Sequence, residues 1–239
     1  MKSAFISLSL LLAAASCTAA ETAPAAETAP AAEAAKAPTV ELFNGKDLSG
    51  WTIKGAGGKA TFEVKDGLIV GTSAKGGGNT FLCSDKTYKN FELEVEIKLD
   101  EKDKSYMNSG VQLRSIIKPD GGKEAGRVSG WQCEVDPSER AWTGGIQEEC
   151  GRAWLQPVKP SEKGAKLPEF TAGKTYKPND WNQLRIVCEG KRVRTWINGV
   201  AGADLTDEGA RLEGIIGLQV HAGPEGHQYF FRNVKIREL

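Results

Sequence analysis

Several things are scarce in this chain of 239 residues, and each scarcity excludes a class of function. An excess of charge is missing: 31 Lys and Arg balance 31 Asp and Glu, so no broad positive field exists to hold nucleic acid or an anionic membrane surface. No Cys-x-x-Cys occurs among the 5 Cys, which removes the usual zinc and redox spacings. No Gly-x-Ser-x-Gly elbow supports an esterase. Histidine is limited to 2 residues, His221 and His227. The run Phe5 to Ala15 falls short of the ~20 apolar residues that span a bilayer as a helix. A helical stripe is missing too, except for a short candidate near Asp207 to Leu212.

Glycine is abundant by contrast. All 28 Gly follow residue 39, far denser than the usual ~7%, and demand many tight turns. The first residues belong to a different regime. Lys2, the apolar run and the small residues that close it read as a signal peptide over residues 1–16. Ala14-Ala15-Ser16-Cys17 resembles a bacterial lipobox, with Ala14 where Leu is more usual, so Cys17 is the expected lipidation site. The expected location is periplasmic or cell-surface as a lipoprotein, otherwise secreted, with the lipid as the only membrane contact. Palmitate labelling should vanish in Cys17→Ala; label that survives would remove the anchor. Residues 18–39 hold only Ala, Pro, Glu, Thr and one Lys, with Glu21, Glu27 and Glu33 spaced evenly. Nothing there can fill a core, so residues 17–39 read as a disordered tether with an end-to-end distance of roughly 25 Å.

From Val40 to Leu239 alternation dominates. Phe91 to Asp100 places every apolar residue on one parity, the mark of a half-buried strand. Shorter runs of the same period are Val111–Ser115, Trp131–Asp136, Leu184–Cys188, Val193–Ile197 and Ile216–His221. Asp66-Gly67, Asp120-Gly121-Gly122 and Asn198-Gly199 punctuate them, the last two as hairpin signals. The chain therefore reads as one all-β domain, a sandwich of two antiparallel sheets.

Parity also separates faces. With Val111, Leu113, Trp131, Cys133, Val135, Ile216, Leu218 and Val220 inward, three strands present Gln112 and Arg114, then Gln132, Glu134 and Asp136, then Gln219 and His221 outward. These sets mix amides, acids, Arg and His, unlike the plain solvent face of Glu92, Glu94, Glu96 and Lys98. If the three strands are neighbours, they build one polar surface suited to a sugar.

These segments carry a family resemblance. Phe43 to Trp51 (FNGKDLSGW), Asn108 to Ser115 (NSGVQLRS), Gly130 to Asp136 (GWQCEVD), Thr143-Gly144-Gly145-Ile146 with Gly151 to Leu155, Gly217 to His221 (GLQVH) and Phe231 to Ile236 occur in order. Together they resemble the 3-keto-disaccharide hydrolase family, also described as a 3-keto-glucoside 1,2-lyase and 3-keto-2-hydroxyglucal hydratase domain. The resemblance implies a concanavalin A-like lectin/glucanase jelly roll and cleavage of 3-keto-glycosides, with an oligosaccharide or 3-keto-glycoside as partner. A C3 ketone acidifies the C2 proton, so a base can form an enediolate, expel the C1 substituent and leave an enone that water then hydrates. For this chemistry Glu134 and His221 are expected to carry base or acid duty, either in either role, and Arg114 to stabilise charge. Gln112, Gln132, Asp136 and Gln219 are expected to bind the sugar, with Trp142, Arg152 and Trp154 from the loop that follows.

No cofactor is required by sequence, although Glu134, Asp136 and His221 are candidates for a divalent Ca2+ or Mn2+. Cys83, Cys133, Cys150 and Cys188 remain after Cys17, enough for two disulfides, with Cys133–Cys150 the favoured pair. Two alternatives stay open: a noncatalytic lectin-like carbohydrate-binding module, and a conventional glycoside hydrolase with paired carboxyls on the same fold.

Overall fold

The computed structural model describes residues 37–100, 107–158, 166 and 168–239. The signal peptide, Cys17 and all but the last residues of the tether lie outside the described residues. In chain order the first strands are β1 (Val40–Glu41), β2 (Trp51–Lys54), β3 (Thr61–Lys65), β4 (Leu68–Thr72) and β5 (Thr80–Tyr88). Then come β6 (Phe91–Leu99), β7 (Ser109–Ile117), β8 (Val128–Val135), β9 (Ile146–Glu149) and β10 (Ala153–Gln156). The chain closes with β11 (Asn182–Glu189), β12 (Arg192–Ile197), β13 (Val200–Thr206), β14 (Gly214–Val220) and β15 (Gln228–Glu238).

These strands form two antiparallel sheets. One runs β13-β12-β11-β6-β15-β4-β3, with β1 added beside β15; the other runs β10-β9-β8-β7-β14-β5-β2. Alternation explains the core directly. Phe91, Leu93, Val95, Ile97 and Leu99 of β6 are buried and pack with Val111, Leu113, Ile216 and Leu218 from the other sheet. Each such side chain contributes about 1.5–3 kcal/mol when removed from water. Asn198-Gly199 forms the tight hairpin its sequence signals, and Asp66-Gly67 does the same, all four residues having positive φ; Asp120-Gly121-Gly122 instead lies within the longer loop that joins β7 to β8.

Three expectations change. Asp207 to Leu212 contains no helix: it is a turn closed by Ala210 N–H donating to Asp207 O at 3.0 Å. The short 3-10 turn lies instead at Ala172–Thr175. The Cys133–Cys150 disulfide does not form, and Cys83, Cys133, Cys150 and Cys188 are free thiols. The cause is facial: Cys133 points into the core, whereas Cys150 follows β9 with its sulfur 3.7 Å from Glu149 Oε1. Finally, every residue of β8 is buried, not alternate ones, because the outward Gln132 and Glu134 are enclosed by hydrogen bonds with Gln112, Gln219 and Asn108.

Candidate functional site

The strands β8, β7 and β14 are consecutive neighbours, so their outward side chains share one surface. Register fixes the pattern. Gln147, Gln132 and Gln112 lie opposite one another across β9, β8 and β7, while Glu134 lies opposite Gly110. That glycine is a close approach: a Cβ there would stand 2.5 Å from Gln132 Cγ. Its absence lets the Gln132 side chain lie across the neighbouring strand and reach Glu134.

The amides form a directed chain. Ser115 Oγ donates to Gln112 Oε1 at 2.6 Å, Gln112 Nε2 to Gln132 Oε1 at 2.5 Å, and Gln132 Nε2 to Glu134 Oε2 at 2.8 Å. Gln132 Nε2 also reaches Gln219 Oε1 at 3.2 Å, and Asn108 Nδ2 donates to the other carboxyl oxygen, Glu134 Oε1. Buried amides must be satisfied, and here each satisfies the next. The chain ends on an acid that is 1% exposed. Burial pushes the Glu134 pKa up to about 8; the hydrogen bonds from Gln132 and Asn108 oppose this, and the charges of Asp136 and Glu149 add to it. A carboxyl poised there holds a proton or releases it near neutral pH, which is what a general base or acid needs.

Glu134 borders a cavity of about 280 Å³ on the outer face. Gln219 and His221 line it from β14 and its end, Gln147 and Glu149 from β9, and Trp154 from β10. Burial lowers the pKa of His221, against the backbone hydrogen bond of Ala222 and the charge of Glu149, which favours its neutral imidazole. Asn79, from the loop before β5, accepts from Ala222 N–H at 2.9 Å and donates to Glu149 Oε1 at 3.4 Å. Asn79, Asn108, Arg140, Gln147 and Glu149 were not singled out by sequence reasoning as site residues. Asn108 opens a strand motif and Gln147 and Glu149 alternate with Glu148, so those three left a signal; Asn79 left none.

The expected site residues therefore divide. Glu134, His221, Gln219 and Trp154 line the cavity, and Gln112 and Gln132 support Glu134 through the amide chain. Asp136 acts one step away. Its carboxylate accepts from Arg140 Nε at 2.7 Å and from Ser138 N–H at 3.2 Å, holding Arg140 against the rings of Trp142 and Trp154 at 4.9 and 4.8 Å. Trp142 is not a platform. It is fully buried, donates to Pro168 O at 3.1 Å and meets Trp154 edge-on at 4.7 Å, so it backs the cavity wall.

Arg114 and Arg152 are corrections. Arg114 has a φ of 49°, and the register slips around it on both β7–β8 and β7–β14. This bulge turns the side chain away from the outer face. Its guanidinium lies 5.9 Å from the Phe91 ring and donates to Lys89 O, to Gly190 O at 2.5 Å and to Asn90 Oδ1 at 3.1 Å. The cation that does line the cavity is Arg140. Arg152 is bound by Glu148 at 2.5 Å and by both oxygens of Asp207 at 3.0 and 2.5 Å, outside the cavity lining.

The candidate cation ligands do not assemble. Among the described residues no group of three or more His, Cys, Asp or Glu is placed to hold a metal ion, and the Asp136 oxygens are taken by Arg140 and Ser138. Glu134, Asp136 and His221 are thus not gathered around one point where a cation would sit.

Solved structures share the architecture. A candidate glycosyl hydrolase from Parabacteroides distasonis ATCC 8503 aligns over 84% of this chain and 94% of its own, with a TM-score of 0.53 and 21% identity. A Bacillus subtilis protein with a galectin-like fold aligns over 84% and 94%, with a TM-score of 0.57 and 12% identity. The exoplasmic/lumenal domain of VIP36, solved with Ca2+ and Man3GlcNAc, aligns over 84% and 88%, with a TM-score of 0.53 and 9% identity. At these identities the likeness establishes a lectin-like jelly roll, the fold that the family resemblance implied. No curated protein matches the chain. The model of the 3-keto-alpha-glucoside-1,2-lyase-like domain matches residues 38–237, spanning both sheets and every residue of the Glu134 cavity, and the chain belongs to that carbohydrate-related family.

Proposed function

We propose that the protein cleaves 3-keto-glucosides by elimination and rehydration at the Glu134 cavity. The observation that carries this reading is a single buried carboxyl, held by two amide donors and raised to about 8, on the wall of a polar cavity in a chain of this family. Glu134 as carboxylate takes the C2 proton of the bound keto sugar. The electron pair moves into the C2–C3 bond and onto the ketone oxygen, and the guanidinium of Arg140 offsets the charge that develops. The enediolate collapses, the C1–O bond breaks, and the departing oxygen takes a proton relayed through His221. Water then adds to C1 of the enone, and the proton that it loses passes through His221 to the freed Glu134 carboxylate and on to C2, giving free 3-keto-glucose. Gln219 and Gln147 hydrogen-bond the sugar hydroxyls, and Trp154 offers an aromatic face to its C–H groups.

The abstracted proton leaves with the alcohol, so the proton returned to C2 comes from solvent. Incubating the full chain with 3-keto-trehalose in D2O should give 3-keto-glucose carrying deuterium at C2. Product without deuterium at C2 would replace this reading by direct hydrolysis, and binding without any product would replace it by a lectin-like module.

A further inference from the structure

The Glu134 cavity does not stand alone on its sheet. A second cavity of about 380 Å³ adjoins it and shares two lining residues with it, Asn79 and Glu149. Its surroundings differ. Phe81 and Val128 line it and belong to a small apolar cluster with Cys83, separate from the main core. Its other walls bring two cations, Lys123 and Arg127, from the loop between β7 and β8. Arg127 is only loosely held, 3.4 Å from Glu124 and 3.9 Å from Glu149, and Glu124 is also engaged by Lys118. Two cations against the one carboxylate of Glu149 leave this cavity net positive, whereas the first collects Glu134 and Glu149 against Arg140.

Two glycine-rich loops close the second cavity. Gly58 pairs with Gly78, and Gly78 N–H donates to Gly57 O at 2.8 Å. A Cβ on Gly55 would stand 2.4 Å from Asn79 O, so the loops approach too closely for any side chain at that position. This packing, with the Ala222 N–H bond, sets Asn79 against Glu149 at the boundary between the two spaces.

We propose that the second cavity is the leaving-group subsite, and that it selects a C1 substituent made of an apolar ring bearing a carboxylate. The ring lies against Phe81 and Val128, and the carboxylate meets Arg127 and Lys123; the scissile bond falls at the Asn79–Glu149 boundary. The proposal rests on the reading of the Glu134 cavity as the keto-sugar site, but its binding half can be tested without turnover.

The probes are 4-carboxyphenyl glucoside and phenyl glucoside, both unoxidised, titrated into the full chain by calorimetry and by backbone amide NMR. The carboxylate should tighten binding about tenfold, the scale of one charge-assisted hydrogen bond, and high salt should reduce the advantage. Amide shifts should centre on Gly78, Arg127 and Val128. Lys123→Gln with Arg127→Gln should erase the preference, and Arg127→Lys should restore part of it, which separates lost charge from lost fold. Equal binding of the two glucosides, no binding of either, or a preference that survives the double variant would each overturn the subsite. The 3-keto forms of the same glucosides separate the two readings. Preferential binding without cleavage would leave the subsite and remove the catalytic reading; cleavage without carboxylate preference would do the reverse.

Discussion

Glu134→Gln is expected to cut turnover of a 3-keto-glucoside by about 10²–10⁴-fold, the contribution of a positioned general base, and to make the protein more stable at alkaline pH. Both effects come from one buried carboxyl. Its folded pKa of about 8 lies above the ordinary 4.5, so the folded state holds a proton that the unfolded chain releases. Below the unfolded value both states are protonated and nothing is lost. As pH rises from there through the folded value, stability falls, and above it the cost of a buried charge is fully present. Gln matches the acid in shape and cannot ionise, so relative to its own stability at about pH 5 the variant should gain on the order of a few kcal/mol over the wild type at about pH 9. The wild-type rate should rise with pH and level off above about 8, as the base becomes deprotonated. Thermal melts at the two pH values and a pH profile of kcat/KM check this. A variant with near wild-type turnover, or a stability gain equal at both pH values, would remove Glu134 from the role.

Arg114→Met should produce the opposite pattern: stability lost, chemistry kept. The guanidinium donates to Lys89 O, Gly190 O, Arg211 O and Asn90 Oδ1, tying together the β5–β6 turn, the β11–β12 turn and the segment before β14. Met preserves much of the stem packing on Phe91 but leaves those acceptors unmet, a loss of about 2–4 kcal/mol. In a domain of this size that lowers Tm by roughly 10 °C. Well below the transition, kcat should stay within about twofold, because the side chain does not border the cavity. A fall in kcat by orders of magnitude with an unchanged melting curve would return Arg114 to the active site.

The contrast between these two residues shows where alternation can be trusted. Glu134 and Arg114 both occupy outward parity on neighbouring strands, and the same rule assigned both to the polar face. It held for Glu134 because β8 stays in register with β7 from Ser109 to Leu113. It failed for Arg114 because the register shifts directly after Leu113, and one bulged residue reverses facing. Nothing in Leu-Arg-Ser-Ile-Ile marks a bulge, since the positive φ falls on an arginine and not on a glycine or asparagine. Arg140 was missed for a related reason. It lies in the turn after β8, where no period applies, and only the fold brings it between Asp136, Trp142 and Trp154.

What the sequence determined by itself is the part of the protein governed by local rules. Period-two alternation sorted most strand residues into core and outer faces, and the Asp66-Gly67 and Asn198-Gly199 pairs set tight hairpins. Tertiary structure alone decided which strands became neighbours, which outward polar groups were buried, and which side chains reached the cavity across distant chain segments. Glu134 owes its raised pKa to that decision. A carboxyl on a strand is an ordinary solvent-facing acid until β7, β9 and β14 assemble around it and remove the water that would have held its charge.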